Sequence, residues 1–380
     1  MKRLKRVLPD IDGSYFLFGP RGTGKSTWLE EHFPKAHIIS LLDPATRREL
    51  RAYPERLKNY IHAKPNKRTV VIDEIQRAPE VLDVVHQLMD NENGYRFIMT
   101  GSSARKLKRN ANADLLGGRA AKRMCHPFLA RELGEAFCLE DALRYGMLPL
   151  VRFPKSGSSE NILKTYLDLY IEEELITEGV IRKVDSFFRF LEIASFSHGS
   201  VLSASEIARE AGVKRSTVDT YFEILEEMLI VSRLPVFSKR AKRQLIGHDK
   251  IYFFDAGVFR ALRPHGPLDR ATEIEGACLE GLVYQQIRAW NDYLSEPNQL
   301  YFWRTKSGVE VDFVIYGENV FRAIEVKNAT RADRSDASGL EAFHQDYPEA
   351  ELTLLYRGER AMKLTENVTA VPVTEFLLSL

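Results

Sequence analysis

One octapeptide sets the first chemistry open to this chain: Gly19-Pro20-Arg21-Gly22-Thr23-Gly24-Lys25-Ser26 satisfies G-x-x-x-x-G-K-[ST] at every fixed position. Its glycines let the backbone fold back so that successive N–H groups face one anion, and a helix opening behind them adds the partial positive charge of its N-terminus. Lys25 is then expected to reach the β- and γ-phosphates of a nucleotide. Ser26 is expected to ligate Mg2+, a hard cation that prefers oxygen and bridges phosphates. The nucleotide contact runs on to Thr27. A second signal is Arg68-Thr69-Val70-Val71-Ile72-Asp73-Glu74, a β-branched run ending in two carboxylates. Asp73 would hold the Mg2+ directly or through water, and Glu74 would polarise the attacking water. A third lies near the C-terminus, where Glu310 and Asp312, and Glu325 and Lys327, stand two residues apart; in strands each pair would share a face.

These residues need particular elements to position them. Tyr15 to Phe18 reads as a short buried strand and Ser26 to Glu31 as the opening of a helix. Ala36 to Leu42 reads as a strand closed by Asp43-Pro44, followed by a charged helical stretch from Ala45 to His62. The run ending at Asp73 is continuously apolar, as a parallel strand covered on both faces must be, and the C-terminal end of such a strand opens onto the ligand crevice. Arg96 to Ser103 repeats the pattern with a small polar ending. A fifth strand is expected from Ala120 to His126, after Asp114 to Arg119.

Helical patterning follows from Phe128 to Arg182, with a loop at 152–159 and a solvated run at Glu172 to Glu174. Three helices are then expected: Phe187 to Phe196, Ser203 to Gly212 with a Ser N-cap and a Gly stop, and Lys214 to Met228. Leu229 to Leu234 could pair with Lys250 to Phe254 around the basic tip Lys239, Arg240, Lys242 and Arg243. A long helix, Ile274 to Asn291, carries Glu280. Strands at 300–304, 310–316 and 320–326, a helix at 336–345 and strands at 351–356 and 368–373 complete the chain.

The 380 residues, 44% hydrophobic, suggest two or three domains with real cores. Lys and Arg number 54 against 53 Asp and Glu, a net charge of +1, so any basic surface must be local. Cys125, Cys138 and Cys278 are scattered and lack C-x-x-C spacing, which argues against a disulfide framework or a zinc site and fits a reducing cytoplasm. The basic start Met1 to Arg6 runs into Pro9-Asp10 rather than an apolar stretch, unlike a signal peptide, and no 18-residue apolar run predicts a membrane partner.

A P-loop strand, a strand ending Asp-Glu and a strand ending in a polar residue together resemble the AAA+ ATPase core. The resemblance implies an α/β P-loop domain over residues 1–130 that binds ATP and Mg2+ and hydrolyses ATP. It makes Ser102 the sensor 1 residue, with Thr100 second. It also places Arg119 where an AAA+ arginine reaches the γ-phosphate of a neighbouring subunit, implying a homo-oligomer; the other reading of Arg119 is a helix C-capping residue. Residues 131–184 would be a helical lid and connector. Residues 185–262 resemble a winged helix-turn-helix, with Lys214, Arg215, Ser216 and Thr217 at the recognition end; such a module binds DNA or a protein partner. Residues 263–380, through their element order and the string Glu325-Val326-Lys327, resemble the PD-(D/E)xK nuclease fold. That resemblance implies that Asp312 and Glu325 hold one or two divalent ions, that Lys327 orients water, and that Glu280 completes the site. The family's Pro before Asp312 is missing, and a degenerate domain that only binds is the alternative. Taken whole, the chain resembles prokaryotic AAA+ ATPases with a C-terminal domain of unknown function. The expected activity is a DNA-directed ATPase coupling nucleotide state to these appendages; the alternative is a nucleotide-dependent switch or scaffold for a protein partner.

Overall fold

The computed structural model describes residues 4–91, 94–103, 118–154, 157–168, 184–239, 247–267 and 269–380. Five strands, β1 (Ser14–Phe18), β2 (His37–Ser40), β3 (Thr69–Asp73), β4 (Arg96–Gly101) and β5 (Ala120–Met124), form a sheet in the order β2-β3-β4-β1-β5. All its pairings are parallel. Parallel strands need crossovers that cover both faces, and β1 is accordingly buried along its whole length while β3 is buried from Val70 to Asp73. Phe16, Phe18, Ile72, Phe97 and Met99 pack with Val81, Val85 and Leu88 of helix Val81–Asn91 in one core.

The charged stretch after β2 is not one helix. Asp43 accepts from Thr46 N at 2.8 Å and caps helix Pro44–Ala52. Pro54 then interrupts it, because proline lacks the N–H and disfavours helical geometry in the residue before it. A 3-10 turn, Pro54–Arg56, leads into a separate helix, Leu57–His62.

The chain divides into two compact units: Arg6–Pro127 with Glu223–Ile230, and Phe128–Phe222 with Val231–Leu380 and Met1–Lys5. Apart from 223–230, the divisions read at 131–184, 185–262 and 263–380 therefore lie within one unit. Helices Val184–Ser195, Ala204–Ala211 and Arg215–Glu227, the last passing out of this unit at Glu223, alternate with a small antiparallel sheet: β6 (Ser200–Val201) follows the first helix, and β7 (Val231–Leu234) and β8 (Lys250–Phe253) follow the third, ordered β6-β8-β7. The expected pairing of the segments at 229–234 and 250–254 is present. Gly212 ends its helix in the left-handed region at φ 68°, as expected, but Ser203 stands at the N-cap position without a side-chain cap bond. Asp255, fully buried, binds Met147 N at 2.7 Å and Gly257 N at 2.9 Å, tying residue 147 to helix Ala256–Leu262.

The C-terminal part opens on helix Ala271–Asp292 and builds a mixed six-stranded sheet. Its strands are β9 (Gln299–Arg304), β10 (Glu310–Tyr316), β11 (Phe321–Lys327), β12 (Glu351–Tyr356), β13 (Met362–Lys363) and β14 (Val368–Pro372), ordered β13-β14-β12-β11-β10-β9. β9, β10 and β11 form an antiparallel meander; β11, β12 and β14 are parallel. Helix Ser338–Asp346 packs on it, with Phe343 and Leu340 in the same core as Trp303 and Val314. The last strand stops at Pro372, and Val373 begins a terminal helix that the sequence pattern did not announce. No described helix is long and apolar enough to cross a membrane.

Candidate functional site

The order β4-β1-β5 puts β1 inside the sheet, and the G-x-x-x-x-G-K-S turn leaves its C-terminal end into helix Lys25–His32. Gly24 occupies the N-cap at φ 89°, a left-handed conformation that suits glycine, and no side-chain cap closes the helix end. Gly19 is required for a different reason: a Cβ there would come within 2.3 Å of the Cys125 carbonyl oxygen. The Lys25 ammonium, buried, donates to Gly19 O at 2.7 Å and Pro20 O at 3.3 Å, so it lies along the inside of the turn. Ser26 and Thr27 are exposed at the helix start.

Across the sheet, Asp73 ends β3 and Thr100 lies near the end of β4. Thr100 Oγ1 donates to Asp73 Oδ1 at 2.6 Å and accepts from Glu74 N at 3.0 Å. One hydroxyl thus fixes both acidic positions. Glu74 is in the left-handed region, φ 60° and ψ 50°, which is uncommon for a residue with a side chain and marks strain held by the surroundings. What holds it includes Gln76, whose Nε2 donates to Glu74 Oε2 at 2.5 Å and to Ser102 Oγ at 2.9 Å; Ser102 Oγ also lies 3.4 Å from Glu74 Oε2. Gly101 makes room for this clamp, since a Cβ there would stand 2.9 Å from Gln76 Oε1.

Ser102 therefore belongs to the Glu74 side of the site and Thr100 to Asp73. Sequence reasoning named both and missed Gln76, whose only signal was its place two residues past Glu74. It also missed Arg6, read only as part of a basic N-terminus: buried, it donates to Thr23 O and to His126 O, both at 2.7 Å, and so braces the back of the phosphate turn. Arg119 is exposed and paired with Asp90, Nε to Oδ1 at 2.8 Å.

The basic residues divide. Lys214 and Arg215 are exposed at the start of helix Arg215–Glu227, with Ser216 beside them. Lys239 donates to Gln299 Oε1 at 2.9 Å and lies 4.3 Å over the Tyr316 ring. Arg240, Lys242 and Arg243 fall outside the described residues, as does the run Glu172 to Glu174.

The C-terminal acids do converge, though around a cation that the sequence reading did not foresee. Lys250, from β8 and 1% exposed, places its ammonium 3.0 Å from Glu280 Oε1 and 3.3 Å from Asp312 Oδ1, and pairs with Glu310 Oε1 as well. Tyr252 OH donates to Glu280 Oε1 at 2.6 Å, and Val326 N donates to Asp312 Oδ2 at 2.9 Å. Lys327 pairs with Glu325 at 2.7 Å and Arg304 with Glu310 at 3.2 Å. Burial pushes Glu280 up to about 7 and Glu325 up to about 8, both with added repulsion from Asp312. Lys250 is shifted upward: burial disfavours its charge, but Glu280, Asp312 and Glu310 outweigh that.

The expectation of a divalent ion held by Asp312, Glu325 and Glu280 meets this cation instead. Lys250 stands between Glu280 and Asp312, the second Asp312 oxygen is taken by a backbone N–H, and no group of three His, Cys, Asp or Glu among the described residues is arranged to hold a metal. These residues do not fit the implied metal.

A parallel sheet carrying a G-x-x-x-x-G-K-S turn after β1 and acids at the end of β3 is consistent with a P-loop, AAA+-like nucleotide-binding fold. A family model described as an AAA domain matches residues 12–134. Two further models, both domains of unknown function (DUF8612 and DUF4143), match residues 138–269 and 275–376. The chain is similar to the uncharacterized protein Rv2008c of Mycobacterium tuberculosis, 28% identical over 313 residues that span 81% of this chain and 69% of that protein. It is also similar to the uncharacterized protein MJ1544 of Methanocaldococcus jannaschii, 25% identical over 278 residues, 67% of this chain and 60% of that one. Among solved structures, the Aeropyrum pernix ORC2 protein in its ADPNP–ADP complexes aligns over 72% of this chain and 89% of its own, at 15% identity and a TM-score of 0.26, too low to support an inference.

Proposed function

We propose that this chain is an ATPase in which residues 19–27 bind ATP, Ser26 and Asp73 hold its Mg2+, and Glu74 directs the attacking water. The observation that carries the reading is the Asp73–Thr100–Glu74–Gln76–Ser102 network, which fixes one carboxylate for a cation and a second for water at the strand ends of a P-loop sheet. Mg2+ would neutralise charge on the transferring phosphoryl group; the chain's own residues hold the phosphates, orient the water and accept its proton. Arg119, exposed before β5, is assigned to a neighbouring subunit's γ-phosphate, which makes the working form a homo-oligomer, and the cytoplasm is the compartment proposed.

DNA is the proposed partner. Exposed Lys214 and Arg215, with hydroxyls beside them at a helix start, and a helical trio followed by the β7–β8 pair support a winged helix-turn-helix reading of 185–262. The order of the last elements supports a nuclease-like fold for 263–380. ATP turnover measured with single-stranded, duplex and branched DNA tests the proposal: DNA should stimulate it, turnover per subunit should rise with protein concentration, and binding should weaken steeply with salt. In Lys214→Ala/Arg215→Ala the salt slope should flatten by about 1 for each phosphate that the variant no longer neutralises. Turnover indifferent to every DNA, with no salt-dependent binding, favours the second reading, a nucleotide-dependent switch acting on a protein partner. The lysine-held carboxylates of the C-terminal part support that reading's non-cutting domain.

A further inference from the structure

The C-terminal carboxylates form a largely buried charged cluster, and their counter-cation comes from another sheet. Glu280 on helix Ala271–Asp292 and Glu310 and Asp312 on β10 all meet the ammonium of Lys250 on β8. A lysine almost never lies this deep without partners, and here three carboxylates supply them. Tyr252, two residues along the same strand, adds its hydroxyl to Glu280, so β8 presents a donor pair to the cluster. The approach is close: a Cβ on Gly199, next to β6, would stand 3.3 Å from Glu280 Oε1.

We propose that Lys250 is the built-in cation of this site, standing where a nuclease of the resembled architecture would carry a divalent metal, so that the C-terminal fold cuts no phosphodiester through a metal at these carboxylates. A fixed ammonium supplies the charge neutralisation that three converging carboxylates need. It has no open coordination position at which to activate water or grip a phosphate. It also joins β8 to the β10 face through charge, so the small sheet and the C-terminal sheet are expected to fold together.

The comparison with a nuclease rests on the proposed nuclease-like reading, but the test reads the cation site directly and is independent of ATP hydrolysis. Full-length protein without nucleotide is titrated with Mn2+, free Mn2+ being followed by its paramagnetic resonance, and thermal unfolding is recorded in EDTA and in Mn2+. Wild-type protein should bind no Mn2+ that Asp312→Asn removes, and should leave supercoiled plasmid intact. Lys250→Ala should unfold on the order of 10 °C lower in EDTA, because it leaves buried carboxylates unpaired. Mn2+ should restore much of that loss, and the double variant Lys250→Ala/Asp312→Asn should lose the restoration. Stoichiometric Mn2+ binding by wild-type protein that Asp312→Asn abolishes would overturn the proposal, as would Mn2+-dependent plasmid nicking with the same dependence, or a folded Lys250→Ala that Mn2+ does not stabilise. If Lys250→Ala does not fold, the wild-type and Asp312→Asn comparison decides alone.

Discussion

At the scale of single residues, the hydrolytic assignment depends on where Glu74 is held. Its left-handed backbone and its bonds to Gln76 and Ser102 place the carboxylate through other side chains, which makes Gln76 a positioning residue. Losing an orienting bond in a site that works by alignment costs rate more than binding. In Gln76→Ala, kcat should therefore fall on the order of 10- to 100-fold with nucleotide affinity unchanged, and Gln76→Asn should recover little because its amide is one methylene short. A matching loss in affinity would show that Gln76 shapes the pocket and does not direct Glu74. Neither periodicity nor motif could have exposed this residue. The fixed positions of the phosphate turn and the Asp-Glu strand end were legible because the chemistry dictates residue type and spacing there; the support of Glu74 depends on β3 and β4 lying side by side, which no local pattern states.

At the scale of elements, His198 shows how β8 is kept in place. Its Nδ1 accepts from Phe253 N at 3.0 Å, its ring stacks on Phe259 at 4.0 Å between centroids, and a Cβ on Gly281 would fall 2.2 Å from its Nε2. Burial lowers its pKa to about 3, from an ordinary value near 6.5. Because the folded value lies below the unfolded one, the contribution of the neutral ring is complete above about pH 6.5 and is lost as pH falls toward 3. Glu280 and Glu325, raised to about 7 and about 8, act oppositely, favouring the fold at low pH and losing that contribution as pH rises through those values. Wild-type pH dependence alone would mix the two. The difference between wild-type protein and His198→Gln isolates the histidine: its stability advantage measured by urea unfolding should shrink by about 2 kcal/mol between pH 7 and pH 5. A constant difference over that range would mean that the ring takes up its proton in the fold as readily as in the unfolded chain. Strand and helix placement was largely readable here from apolar runs and glycine stops, whereas the approach of β8 to the carboxylates was not: Lys250 lies 30 residues from Glu280 in sequence, and its apolar neighbours mark it only as the start of a strand.

At the scale of the whole molecule, the two compact units divide the chemistry. Arg6–Pro127 carries the residues proposed to meet the nucleotide, and the unit containing 128–222 and 231–380 carries both the exposed basic helix start and the lysine-held acids. Sequence anticipated a P-loop core and an appended C-terminal part, because composition, turns and strand runs mark such segments. It set a boundary at 262 that Lys250 and Tyr252 cross to reach Glu280, since buried polar partners far apart in sequence decide what folds as one body. The central claim is that the first unit binds ATP through Lys25 and hydrolyses it through Glu74. Equilibrium binding of a fluorescent ATP analogue, read beside steady-state turnover in wild-type protein, Lys25→Ala and Glu74→Gln, tests this most directly. Glu74→Gln should keep wild-type affinity and lose turnover by about 100-fold or more, while Lys25→Ala should lose affinity itself. Equal loss of affinity in both variants, or undiminished turnover in Glu74→Gln, would contradict the assignment.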